Sequence, residues 1–273
     1  MKKVLLWAFA AALICSTTVF TSCSTDDNPV KPTDNLAEKL IGKWMLAAIN
    51  GQLVSTDGKA VYTLTSPTKA YISASIHAHP VVGSYWGKHF EADVDIKGNQ
   101  MTITSKIDED MTVVDVFDIT DINETKFTAN VKTTVLIDGT EKMMIERVAS
   151  FDKINRDYKE AILGLWECKG LKGGETYNDA NGRLDFFDDG TYQYWRKNDA
   201  GEWEAVTTRE YQEYFVDGVL LCTRWKDVDG DEQREWWEIK SLKGDKMQWK
   251  ALREDDDSAF QQIMDWKKIE LEE

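Results

Sequence analysis

Basic residues are in deficit: 33 Lys and Arg face 48 Asp and Glu, for a formal charge of −15 over 273 residues. A duplex-binding surface takes most of its affinity from cations that neutralise phosphates, so nucleic acid is excluded as an expected partner. Beyond the first twenty or so residues no run of 18 apolar residues occurs, which excludes a chain that crosses a membrane repeatedly with helices. Histidine is limited to His77, His79 and His89, and residues 156–273 contain none. No Ser-His-Asp set or glycine-flanked nucleophilic serine can be assembled, and no catalytic residue is assigned. Acidic pairs such as Glu210 and Glu213 carry no weight where Asp and Glu are this abundant. The 42% of hydrophobic residues suffices for packed cores and excludes global disorder.

The N-terminus reads as a targeting signal. Lys2 and Lys3 precede an apolar stretch from Val4 to about Val19, which gives way to small residues and Cys23. A basic start, a short apolar core and a small-residue exit fit a secretory signal peptide over residues 1–22 better than a membrane-spanning helix. Thr21-Ser22-Cys23 resembles a bacterial lipobox, with Phe20 where leucine is usual. That resemblance implies diacylglycerol on the Cys23 thiol. The following Ser24-Thr25-Asp26-Asp27 is similar to the acidic signal that sends Bacteroidetes-type lipoproteins to the cell surface, and a plain solvated linker is its alternative. Residues 23–34, with Pro29 and Pro32, read as a tether. Cleavage would remove two lysines and no acids, leaving 31 basic against 48 acidic residues.

Two related units follow, residues 35–155 and 156–273. Asn35-Leu-Ala-Glu38 leads through Leu40 and Ile41 to Gly42-Lys43-Trp44, and 122 positions on Asp157-Tyr-Lys-Glu160 leads to Gly164-Leu165-Trp166. Asn or Asp three residues before Glu suggests a capped helical turn in each. The units also end alike, in Phe151-Asp-Lys-Ile154 and Trp266-Lys-Lys-Ile269. Between these ends the apolar period is two. Phe90, Ala92, Val94 and Ile96 alternate with polar residues before a Gly98-Asn99 turn, and Asp138-Gly139, Asp189-Gly190, Asp217-Gly218, Asp229-Gly230 and Gly244-Asp245 mark further hairpins. Many short strands without a long helix predict an all-β protein of two antiparallel up-and-down barrels, with β-sandwiches as the alternative. Gly-X-Trp opening an all-β unit after a short lead-in turn resembles the lipocalin signature, and Leu184 to Tyr194 is similar to a hairpin of the short lipocalin-like domains of Bacteroidetes lipoproteins. The resemblance implies tandem lipocalin-like barrels.

Candidate sites are few. Asp227, Asp229 and Asp231 match the first oxygen positions of an EF-hand loop, but Glu232 stands where glycine is needed and the flanks read as strands. An acidic hairpin turn is therefore the first reading and a Ca²⁺ site the second; no other cofactor is expected. His77 and His79 would share one strand face with Tyr71, Ser73 and Ser75, which makes them exposed polar residues in preference to a zinc pair. Cys168 and Cys222 are either buried thiols or a disulfide in an oxidising envelope. Tryptophan is concentrated in the second unit. Trp249 and Trp225 share faces with apolar neighbours and read as core, whereas Tyr194, Trp195, Trp203 and Trp236 are the candidate ligand contacts. The expected function is a lipid-anchored, surface-exposed, non-enzymatic binding protein for a small apolar or glycan-like ligand, held in the outer membrane. The alternative is an interaction lipoprotein with filled barrels that meets a protein partner.

Overall fold

The computed structural model describes residues 35–54, 59–79, 83–172, 182–251 and 263–270; the signal, Cys23 and the tether lie outside them. The protein is all-β. In the first unit a helical turn, α1 (Leu36–Leu40), leads into β1 (Gly42–Ile49), a two-residue β2 (Gln52–Leu53), β3 (Ala60–Ser66), β4 (Lys69–His79), β5 (Gly83–Lys97), β6 (Gln100–Lys106), β7 (Met111–Ile122), β8 (Lys126–Ile137) and β9 (Thr140–Ile154). Neighbours in sequence pair antiparallel from β3 to β9, β3 pairs with β1, and β9 returns to pair with β1. Eight strands thus close a barrel without an open edge, and β2 hangs from the end of β1.

The second unit repeats the meander with β10 (Gly164–Lys172), β11 (Gly182–Phe186), β12 (Tyr192–Lys197), β13 (Trp203–Ala205), β14 (Gln212–Asp217), β15 (Leu220–Lys226), β16 (Glu232–Lys243), β17 (Lys246–Ala251) and β18 (Ile263–Lys268). Where the first unit joins β4 directly to β5, this unit inserts β13 and a single 3-10 turn, Arg209–Tyr211, between β12 and β14. The result is a curled nine-stranded sheet, a half-barrel whose β12 and β14 sides are joined by an isolated bridge between Thr191 and Glu213. The Gln212 side chain reinforces that seam, accepting from Tyr194 N at 2.9 Å and donating to Thr207 O at 2.9 Å. A single closed meander in one unit and a curled one in the other are consistent with tandem lipocalin-like barrels and set the sandwich alternative aside.

The shared Gly-X-Trp does the same structural work twice. Trp44 donates its indole N–H to Leu40 O at 2.7 Å, and Trp166 donates to Ile162 O at 2.6 Å, so each ring is pinned to its own lead-in turn. Lys153, paired with Trp44 across β9, lies over that ring at 5.0 Å, and Lys268 lies over Trp166 at 5.5 Å. Glycine is required before each tryptophan because φ is +128° at Gly42 and +101° at Gly164, and a Cβ would press on the overlying lysine. Even the bulge repeats, between Leu46 and Ala48 on one strand and between Cys168 and Gly170 on the other. The expected capping differs. Asn35 makes no side-chain cap bond, and Asp157 accepts from Lys159 N and from Lys43 in place of closing a helix.

The outer faces of the two units pack together. Met45, Val61, Trp86 and Ile154 of the first meet Phe215, Leu220, Cys222 and Trp236 of the second in one apolar cluster. This overturns the reading of the β4 polar face as exposed. Ser73 and Ser75 are fully buried, because that face is covered by β14 to β16. Ser73 donates to Asp217 at 2.6 Å, and Lys43 bridges Asp217 and Asp157. Burial pulls the Lys43 ammonium down, but the hydrogen bonds to the two carboxylates outweigh it and hold its pKa above the ordinary value. Arg234, its side chain 3% exposed, donates to Ile76 O and Tyr85 O at 2.6 Å each. Trp236 donates to Ser75 O at 3.2 Å.

Each interface group also explains why the sequence misled. Alternation along β4 marks Ser73 and Ser75 as a solvent face, and only the partner unit supplies the carboxylate and guanidinium that make their burial tolerable. The Asp217 side chain has no solvent exposure, so removing its cation leaves a buried, unpaired charge. Lys43→Met is expected to cost roughly 3–5 kcal/mol in chemical unfolding, whereas Lys97→Met, which breaks only an exposed pair with Asp95, should change little. Equal effects from the two would show that the interface network is not a buried one.

Candidate functional site

The two barrels differ in the side chains that line them. Trp44, Phe117, Phe127, Phe151, Leu64, Met101 and Ile103 are buried at the α1 end of the first unit. Phe127 stacks on Phe151 at 4.4 Å, and Trp44 meets Phe127 edge-on at 4.9 Å. Together they make an aromatic floor. Above it the lining changes character. Register places Ser105, Asp115, Thr133 and Arg147 on the same inward face as the floor residues Met101, Phe117, Val131 and Ala149. Tyr62 reaches this layer from the opposite wall, its ring edge-on to Phe117 at 5.9 Å and to Phe151 at 5.7 Å.

These polar groups are incompletely satisfied. Ser105 is 1% exposed and its Oγ has no hydrogen-bond partner; the Nε of half-buried Arg147 is likewise buried and unpartnered. Asp115, 6% exposed, accepts a hydrogen bond from the Thr133 hydroxyl. Burial holds the Asp115 carboxyl above the usual carboxylate range, against the opposing pull of Thr133 and of Arg147. Burial likewise raises the Tyr62 phenol, and the Asp115 charge adds to that.

Beyond this layer the strands are of unequal length. β1 finishes at Ile49, opposite Ala149, so β9 runs on from 148 to 140 without a β1 partner. Ile145, on the inward face of that stretch, is 37% exposed, and Met143 is half-buried. Val113, Val135 and Phe90 continue the apolar lining at this height. On the far rim Tyr85 folds over Gly87, where a Cβ would collide with its phenol, and packs edge-on against Phe90 at 5.1 Å. Burial pushes the Tyr85 hydroxyl up to about 12.

The second unit has a core of stacked aromatic rings. Trp237 stacks on Trp249 at 5.1 Å, and Trp249 meets Trp266 edge-on at 4.6 Å, within a core that includes Trp166, Phe186, Tyr192 and Tyr214. The indole N–H groups of Trp249 and Trp266 have no partner. The four candidate ligand contacts of this unit do not converge. Tyr194 packs on the inner cluster. Trp195 pairs with Arg183 on the other face of the sheet, where Trp203 is covered by the Arg183 guanidinium at 3.9 Å. Trp236 is 8% exposed and belongs to the interface between units, with Trp237 facing the core. An adjacent pair of buried tryptophans is explained by a strand buried on both faces, which its sequence alone does not reveal.

The remaining candidates resolve individually. Asp227 accepts from Asp229 N, Asp231 N and the Gln233 amide, which uses its carboxylate to shape an Asx-type turn. Among the described residues no three His, Cys, Asp or Glu side chains are grouped to hold a metal ion. Next to that turn, Thr207, Tyr211, Lys226 and fully exposed Val228 line a shallow surface depression. His77 is exposed, 3.8 Å from Glu232; the side chains of His79 and His89 lie outside the described residues. Cys168 and Cys222 keep their thiols, because Cys168 faces the core of its unit and Cys222 faces the interface. No helix among the described residues is long and apolar enough to cross a membrane.

Sequence signals for the polar layer did exist. Asp115 and Thr133 interrupt runs that otherwise alternate apolar residues inward, Val113 to Ile119 and Phe127 to Val135. A carboxylate at a core position is a strong anomaly, but it shows only once the strand register is fixed.

Comparison with protein-family models and with curated proteins finds no match. Among solved structures, a protein of unknown function from the DUF3598 family of Nostoc punctiforme is similar over 85% of this chain and 97% of its own, at 9% identity and a TM-score of 0.22.

Because the folded Asp115 holds its proton to higher pH than an unfolded aspartate, the native state binds more protons between the two pKa values. Stability from this group is therefore lost as pH rises through the folded pKa. Asp115→Asn should melt a few degrees above the wild type at pH 8, with the gap closing towards pH 4. A gap independent of pH would mean that Asp115 is ordinary in its titration.

Proposed function

We propose that this protein is a lipid-anchored, surface-displayed binding protein without catalytic activity, and that it takes a small, largely apolar or glycan-like ligand in the barrel of its first unit. The reading rests on one observation above all. Ser105 and Arg147 present buried, unpartnered polar atoms inside a barrel whose inward-facing Ile145 is still reached by solvent. A core built only for stability leaves few such groups, since each costs about 1–3 kcal/mol. A ligand that supplies their partners offsets that cost on binding.

The second unit has a different role in this reading. Its stacked tryptophans form an aromatic core in which the Trp249 and Trp266 indole N–H groups also lack partners, and Arg234 and Trp236 brace the β4–β5 wall of the first barrel through Ile76 O, Tyr85 O and Ser75 O. The anchor rests on the lipobox-like Thr21-Ser22-Cys23 and the surface location on Asp26 and Asp27; two acyl chains at about 0.8 kcal/mol per buried CH₂ would hold the protein at the outer membrane.

Two measurements test this. The uncharged apolar dye N-phenyl-1-naphthylamine should brighten on mixing with the processed chain, and Ile145→Lys at the mouth should weaken it at least fivefold while Trp203→Ala does not. Dye binding that follows Trp203 and ignores Ile145 would move the site to the second unit and contradict the proposal. For the anchor, the wild type expressed in a Gram-negative host should partition into the detergent phase of Triton X-114, and Cys23→Ser into the aqueous phase. Detergent partitioning retained by Cys23→Ser would remove the lipid from the account.

A further inference from the structure

The chemistry of the polar layer narrows the ligand class, an inference that rests on the reading of the first barrel as a binding site. The layer carries one acid and one base on its inward face. Asp115 is held by the Thr133 hydroxyl, Arg147 keeps a buried Nε–H without a partner, and the two charges influence each other without forming an ion pair. The same inward face carries a donor-acceptor hydroxyl with no partner, that of Ser105, and the phenol of Tyr62 lies within electrostatic reach of Asp115. An anionic head group would gain Arg147 but meet Asp115. An ammonium head would gain Asp115 but meet Arg147. An uncharged head bearing hydroxyls answers both, because each hydroxyl can donate to the carboxylate and accept from the guanidinium.

The vertical order of the lining then sets orientation. Along each of β7, β8 and β9 the polar residue stands between the floor and an apolar residue nearer the far end, Asp115 before Val113, Thr133 before Val135, and Arg147 before Ile145 and Met143, while Ser105 on β6 is level with Val113. From this geometry we infer that the first barrel takes uncharged, hydroxyl-bearing amphiphiles head first, with the head between Asp115, Ser105 and Arg147 and the apolar tail against the mouth. Exposed Ile145 and half-buried Met143 are the residues the tail would cover.

The test uses three probes built on a ten-carbon chain with different head groups, 1-monodecanoylglycerol, decanoate and decylamine, titrated calorimetrically into the chain expressed from Ser24 onward, without signal or anchor, so that no detergent is present. Monodecanoylglycerol should bind at least tenfold more tightly than either ion. Asp115→Asn should weaken it at least fivefold and strengthen decanoate, and Arg147→Gln should weaken it similarly and strengthen decylamine. That reciprocal change of ion preference would not follow from loosened packing, and thermal melts of both variants confirm that they fold. Tightest binding by decanoate or by decylamine in the wild type would overturn the inference. If the uncharged dye binds but the three head groups are not distinguished, the head-group inference fails and the barrel reading stands. If neither the dye nor any probe binds, both fail.

Discussion

Each unit is organised by one hydrogen bond, from a tryptophan indole on its first strand to a carbonyl of the turn that leads into it. Trp44 with Leu40 O, and Trp166 with Ile162 O, fix where the chain enters the barrel and plug that end with the largest side chain available. Lysine from the last strand covers the ring from the other side. Whatever a unit binds must therefore enter from the opposite end. In the first unit β1 stops at Ile49 at that end while the strands facing it run on.

Duplication of this plan has led to unequal outcomes. The first unit keeps small residues such as Ala60, Ala74 and Ala92 on the inner face of β3 to β5 and a polar layer across from them. The second replaces that economy with stacked tryptophans and spends its outer face on its neighbour. Arg234 holds carbonyls on both strands of the β4–β5 hairpin, so the wall of the first barrel is fixed by a residue 149 positions away from Tyr85. Cys222, Phe215 and Trp236 are apolar on the outside of a barrel for the same reason.

Much of the architecture was legible in the sequence because it depends on local rules. Period-two alternation, glycine turns at Gly98, Gly139, Gly190 and Gly244, and the repeated Gly-X-Trp each express a constraint acting within a few residues. What depends on contacts across the chain was not legible. Ser73 and Ser75 look like a wet face until Asp217 and Arg234 are brought to them. Trp236 looks like a ligand contact until the second unit is docked on the first. Asp227 looks like a calcium ligand until its oxygens are seen to serve the turn. The Asp115 and Arg147 layer is hidden behind the aromatic density of the second unit, where Trp166, Trp237, Trp249 and Trp266 are core and Trp236 is interface.

The central claim is that the first barrel, and not the tryptophan-rich second one, is the ligand site. Methyl resonances of selectively labelled Ile, Val and Met report on both interiors in one spectrum. On adding monodecanoylglycerol, shifts are expected at Val113, Val135, Met143 and Ile145, with Ile239 and Met247 of the second core unmoved. Shifts centred on Ile239 and Met247, or none in either core, would contradict the account.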